Sequence, residues 1–343
     1  MLETCKANHA ATVVATMPRL VRTCAALVVY ATCAVAFAQA QTPSFDTFNV
    51  PAGSGPHDVA PSPDGTVWYT AQSRGAVGRV DPRTGKTDWV AVGEGSAPHG
   101  VIVGPDHAAW ITDGGLNAIV RVDAKTLAVS RFPLPKDRPN GNLNTAVFDK
   151  HGHLWFTGQN GIYGELDPAS GRMRVFDAPR GRGPYGICVT PGGDLYYASL
   201  AGSYLGRIDP VSGATKVIEP PTRDQGARRV WSDSKGRIWI SEWTAGKVGM
   251  FDPAKQQWRE WPLPGQGPHA YAIFVDDRDI VWLSEWTANA LVRFDPRTEH
   301  FDVLKLPQAN ANVRQMMGRK GEVWLSASGI GRLLRYDTHD GGK

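Results

Sequence analysis

The chain reads SEWTA twice, at 241–245 and 284–288, and each time a glutamate stands directly before a tryptophan. Sixteen residues before the second glutamate, Glu285, lies His269. A carboxylate facing an imidazole fixes its tautomer and raises its basicity, which suits a general base near neutral pH. His269 and Glu285 are therefore read as the catalytic pair. Arg228 precedes Glu242 and His99 precedes Asp113 in the same way. Arg228 with Glu242 reads first as an ion pair. Glu242 and Glu285, with Asp113 beside them, are also the candidate ligands for a divalent cation, because hard cations take carboxylate oxygens. Trp243 and Trp286 have the shape to wall a flat or macrocyclic ligand. His57, Asn144 and Tyr185 fall at corresponding points of the chain, and with Arg314, beside the last such point, they complete the candidate substrate-binding set.

What makes those points correspond is an internal repeat. An aromatic residue after a turn recurs at Trp68, Trp110, Trp155, Tyr196, Trp239, Trp282 and Trp324, with spacings of 42, 45, 41, 43, 43 and 42. A second ladder keeps the same phase at Asp81, Asp123, Asp167, Asp209, Asp252, Asp295 and Asp337. Each unit holds four short runs of alternating polarity separated by Gly, Pro or Asp turns, the pattern of half-buried strands. Four strands in about 43 residues make one propeller blade. The expected fold is all-β, a seven-bladed β-propeller. The seventh unit lacks a fourth strand, whereas residues 44–51 (SFDTFNVP) resemble one. The N-terminal strand is expected to close the last blade and remove an exposed edge.

Within a blade the first two strands form a hairpin, so the start of one and the end of the other meet at one rim. Centring each hairpin on its turn pairs His57 with Ala71, His99 with Asp113, Asn144 with Gly158, Tyr185 with Ser199, Arg228 with Glu242, His269 with Glu285 and Val313 with Ala327. The sixth hairpin is two residues longer than its neighbours, and the turn at 276–279 is expected to absorb them. Core positions repeat and these positions vary, so this rim is the expected functional face.

The remaining features set the compartment and exclude classes. Arg19 and Arg22 precede an uncharged apolar run from Cys24 to Ala38 that ends in Ala38-Gln39-Ala40. That order is a secretory signal. Residues 1–40 are expected to be removed, with Met17 a possible start, leaving residues 41–343 as the propeller of a periplasmic or secreted protein. The run is shorter than the ~20 residues a membrane span needs. The net charge is +4 over the chain, and losing Lys6, Arg19, Arg22 and Glu3 leaves +2. Nothing so near neutral implies nucleic acid or anionic lipid. Of Cys5, Cys24, Cys33 and Cys188 only the last survives cleavage, and it reads as a buried strand residue. A monomer with a small-molecule or cyclic-peptide ligand is expected.

The repeat also resembles a known family. GPHAYAIF at 267–274 and IVWLSEWTANALVRFD at 280–295, repeated less fully in other units, are similar to the streptogramin B (virginiamycin B) lyases over residues 45–337. The resemblance implies a Mg²⁺-assisted β-elimination that opens a cyclic depsipeptide at its ester. It implies one histidine as base, two glutamates holding the metal, and a histidine one blade earlier touching substrate. His269 falls on that substrate histidine. At the place of the base the chain has Arg314, and at the places of the metal glutamates Asn312 and Ser328. An elimination on the rim is the leading expectation. A ligand-binding propeller without chemistry and a metal-dependent, lactonase-like hydrolase are the alternatives.

Overall fold

The computed structural model describes residues 44–339. The predicted export segment lies outside these residues. Among the described residues, 28 strands form seven antiparallel sheets of four strands each. This is the seven-bladed propeller the two ladders predict. We label the strands of each blade a to d from the inside outwards. The a strands are Pro56–Pro61, Pro98–Val103, Leu143–Phe148, Pro184–Val189, Ala227–Ser232, Ala270–Val275 and Val313–Arg319. The b strands are Val67–Ala71, Ala109–Asp113, Leu154–Gly158, Leu195–Ser199, Ile238–Glu242, Val281–Glu285 and Glu322–Ala327. No helix among the described residues is long and apolar enough to cross a membrane.

Alternation of polarity along the strands buries one large side chain per blade in the same place. The seven aromatic anchors are at most 2% exposed and fill the space between adjacent sheets. Each such burial is worth on the order of 2–3 kcal/mol of apolar transfer. Cys188 is buried among Tyr196, Ala198 and Ile240, and burial raises its thiol pKa, so it is an inert core residue. Phe45–Asn49 pairs with Arg332–Tyr336 in register from Phe45↔Tyr336 to Asn49↔Arg332. The N-terminal strand thus supplies the outer strand of the seventh blade, as expected.

The residue two positions after six of the seven anchors joins neighbouring blades. Thr70 Oγ1 accepts the amide of Asp58 in its own blade and donates to the carbonyl of His99 in the next, at 2.9 and 2.8 Å. Thr112 does the same with Gly100 and Asn144, and Ser241 with Arg229 and Tyr271. Ser326 donates to His57 O at 2.6 Å and closes the circle. These hydroxyls sit where every a strand carries a register irregularity, for example between Pro56 and Val59. The chain approaches closely there: a Cβ on Gly100 would clash with Asn144 O. Seven bulges at one height turn seven side chains toward the central channel.

Candidate functional site

The bulges correct the hairpin register drawn from symmetry. The b-strand ends pair with Pro56, Pro98, Leu143, Pro184 and Ala227, one residue before the expected partners. In blade six Glu285 pairs with Ala270, one residue after His269. The turn there is no longer than elsewhere, since Val275 pairs with Val281 as Val103 pairs with Ala109. The two extra residues lie at the entrance to strand a. A shift of two preserves the pleat but moves the Pro-His dipeptide out of the channel position, and Tyr271 takes its place. Blade seven keeps Val313↔Ala327 and shortens its turn.

The residues at equivalent bulge positions are then His57, His99, Asn144, Tyr185, Arg228, Tyr271 and Arg314, with Tyr271 the one not foreseen. Their contacts show that they converge. The His57 and His99 rings lie 3.8 Å apart. His99 Nδ1 donates to Asn144 O at 3.1 Å, which leaves Nε2 to accept from Asn144 Nδ2 at 3.2 Å. Tyr185 and Tyr271 share a hydroxyl hydrogen bond of 2.7 Å. The Arg228 guanidinium lies 3.6 Å from the Tyr271 ring centre and 4.8 Å from those of Tyr185 and Trp243. Tyr271 stacks on Trp286 at 4.9 Å, and Arg314 lies over Trp286 at 5.4 Å. Histidines and Asn144 therefore line one half of the mouth, arginines and aromatics the other.

One residue further along each strand lies a second ring: Asp58, Gly100, Thr145, Gly186, Arg229, Ala272 and Gln315. Three of its members are small, and Arg229 reaches across the channel between them. It donates to Asp58 Oδ1 at 3.0 Å and to Thr145 Oγ1 at 2.8 Å. Gln315 Oε1 accepts the amide of Val59 at 2.8 Å. Asp58 Oδ1 also lies 2.8 Å from His57 Nδ1. Burial raises the Asp58 pKa and the Arg229 guanidinium opposes it; as the carboxylate paired with Arg229, Asp58 takes the proton of His57 Nδ1 and leaves the lone pair on Nε2, which has no hydrogen-bond partner among the described residues. Sequence reasoning missed Asp58 and Arg229, which meet only because the ring curves.

The charges follow from burial. Burial, reinforced by Arg229, Arg314 and Arg228, lowers the pKa of His57 well below the ordinary imidazole value. Burial and the adjacent His57 do the same to His99. Both rings are neutral at pH 7. Burial pushes Tyr185 up to about 12, with Tyr271 adding to it. Burial alone would raise Tyr271 too, but Arg228 and Arg229 with the bonds from Tyr185 and Arg228 outweigh it and lower its pKa.

The predicted carboxylates do other work. Glu285 accepts the backbone amides of His269 and Thr287 at 2.8 and 2.9 Å, and that of Ala288. His269 turns its ring away to Thr287 Oγ1 at 3.1 Å, so the expected imidazole–carboxylate pair is a carboxylate–backbone pair. Asp113 likewise caps Ala97 N and Leu116 N, both at 2.9 Å, and takes the hydroxyl of Ser96. Glu242 is fully buried with both oxygens unpaired, set against Gly249. Burial, with Glu260 adding to it, raises its pKa to about 8, so it is protonated at pH 7. Arg228 forms no ion pair with it.

These carboxylates do not fit a divalent cation. Glu285 is saturated by amides, Glu242 is a neutral acid, and Asn312 and Ser328 bond one another, Ser328 Oγ to Asn312 O at 2.9 Å. Two groups among the described residues do gather three potential ligands, His57 with Asp58 and His99, and Asp149 with His153 and Glu165. Arg229 occupies the carboxylate of the first; in the second, Arg174 occupies Glu165, and Asp149 accepts the amides of His151 and His153 and the Trp155 indole N–H.

A cavity of about 450 Å³ opens beyond the Asp58–Arg229 bridge, toward the far ends of the a strands. Its walls are apolar, including Val103, Phe148, Trp231 and Met317. Only the bridge itself supplies charge there; His57, Tyr271 and the other arginines meet at the opposite mouth.

Comparison with known proteins agrees with the fold. The family model of the virginiamycin B lyases matches residues 33–257. A streptogramin B lyase structure superposes with TM-score 0.78 at 23% identity, over 85% of this chain and 96% of that one. A catalytically inactive virginiamycin B lyase from Staphylococcus aureus with quinupristin gives 0.78 at 19%, over 86% and 99%. The extracellular domain of a hybrid two-component system from B. thetaiotaomicron gives 0.68 at 14%, over 85% and 42%. A search of curated protein sequences finds no match. With its family model covering well over half of the sequence, the chain belongs to the virginiamycin B lyase family.

Proposed function

We propose that this protein is an exported carbon–oxygen lyase working by β-elimination at the mouth of the propeller, with His57 as its base. The observation that carries the reading is the Asp58–His57 contact of 2.8 Å. A buried carboxylate fixes the tautomer and leaves an uncharged Nε2 to take a proton, the arrangement a general base needs. His57 Nε2 removes the proton from the carbon next to the carbonyl. The C–H electrons form the carbon–carbon double bond, and the bond from the β carbon to oxygen breaks. Tyr271, made more acidic by the arginines beside it, protonates the departing oxygen. Magnesium, which the family resemblance implies, has no donor set here, and no step uses it. The likeness to an enzyme solved with quinupristin supports a small-molecule ligand.

Ultraviolet absorbance of the new conjugated double bond tests the reaction. His57→Asn keeps a hydrogen bond to Asp58 and should lower turnover by about 10²–10⁴-fold. Unchanged turnover would remove His57 from the role. Binding without turnover is the second reading, favoured by the 4% exposure of His57. Ligand binding with no ultraviolet product from any bound ester or ether would establish it.

A further inference from the structure

Three guanidinium groups meet at this mouth, and one has a carboxylate partner. Arg229 is held by Asp58. Arg228 and Arg314 are half-buried, and among the described residues neither has a carboxylate within 4.0 Å. The nearby acids are committed elsewhere: Asp113 and Glu285 to backbone amides, Glu242 to its buried neutral form. Aromatic faces hold the two free cations in place instead. Arg228 is packed among Tyr271, Trp243 and Tyr185, donates to Tyr185 Oη at 3.2 Å and has a buried Nε without a partner. Arg314 rests on Trp286. Ring faces orient a guanidinium without neutralising it.

We propose that Arg228 and Arg314 form a carboxylate-binding site, and that the substrate is an acid whose carboxylate is attached to the carbon that loses the proton. The proposal rests on the mouth being the reaction site and adds the substrate class. A carboxylate is a poor activator of its α-proton, because removing that proton places a second negative charge on the same group. Positioned guanidiniums answer this directly, since they bind carboxylates through paired N–H donors and stabilise the charge as it develops. The balance is that of any elimination: the proton passes to His57, its electron pair becomes the double bond, and the oxygen leaves from the β carbon with its own pair. No oxidant, reductant or metal is required.

The test is calorimetric binding, in excess chelator, of a uronic-acid disaccharide and of its methyl ester, which differ only in the charge at the carboxyl. The acid should bind at least about tenfold tighter than the ester, and molar salt should remove the difference. Arg314→Gln and Arg228→Gln should each weaken the acid by about tenfold and leave the ester unchanged, and Arg314→Lys should restore part of the loss. Arg314 rests on the Trp286 ring and has no hydrogen bond or ion pair among the described residues, so its variants should melt with the wild type and carry the test if Arg228→Gln unfolds. Equal binding of acid and ester, no binding of either at millimolar concentration, or binding that needs added Mg²⁺ overturns the proposal. An acid that binds in this pattern but is never converted leaves the carboxylate site standing and sinks the elimination. Equal binding of acid and ester together with elimination of the ester sinks the carboxylate site alone.

Discussion

At the residue scale the site depends on groups kept uncharged by burial, and this fixes how stability should vary with pH. His57 and His99 have pKa values lowered in the folded state, whereas the unfolded chain takes protons near 6.5. Below that value the unfolded state binds more protons, so stability contributed by the pair is complete above about pH 6.5 and is lost as pH falls. A thermal melt from pH 7.5 to 5 should show the loss, and His99→Gln should make it shallower; an equal slope in the variant would contradict neutral burial. Glu242 has the opposite sign. Its folded pKa of about 8 stands above its unfolded value, so its stability contribution is lost as pH rises from about 4.5 through 8. Glu242→Gln should raise the melting temperature at pH 8 and have little effect at pH 5. Of these residues, His57, His99, Asn144, Tyr185 and Arg228 were legible from position in the repeat, and Arg314 lies one residue beyond Val313, the position that symmetry assigned to the seventh blade. Tyr271 was not, because the Pro-His dipeptide at 268–269 imitates the channel position two residues early. Glu242, Glu285 and Asp113 were legible as opposed charges, yet two of them serve backbone amides that no side-chain pattern displays.

At the element scale the bulge in each a strand is what aims a side chain into the channel, and a hydroxyl on the b strand holds it. Ser241 Oγ bridges the Arg229 amide and the Tyr271 carbonyl at 3.0 and 2.6 Å. Ser241→Ala should cost about 1–3 kcal/mol, the usual penalty for stranding buried partners, measurable by urea denaturation. It should also weaken ligand binding, since Tyr271 and Arg229 lose their anchor. Stability unchanged within error would count against the stitching role. The sequence displays this device plainly, as Thr or Ser two residues after six of the seven anchors. Read as a phase marker, it aligns Tyr271 with His99. The counting from turns failed because a bulge adds a residue to one strand only.

At the scale of the whole molecule, the ring closes twice. Outside, Phe45–Asn49 completes the seventh sheet, and inside, Gln315 and Ser326 bond the first blade. Removing residues 44–50 should lower the melting temperature of the entire propeller in one cooperative transition, because the edge left at 332–337 has no other partner; an unchanged melt would refute closure. Seven-fold periodicity made this architecture readable from the two ladders alone. The bridge of Arg229 to Asp58 was unreadable, since it spans blades 171 residues apart and appears only once the ring is curved. That bridge divides the channel into a polar mouth and an apolar cavity, and the account places ligand on the polar side. The most direct test is a crystal structure of the His57→Asn protein soaked with the uronic-acid disaccharide. The account predicts a carboxylate within hydrogen-bonding distance of Arg228 and Arg314, with its α carbon facing residue 57. A ligand seated among Val103, Phe148 and Met317, beyond Arg229, would contradict it.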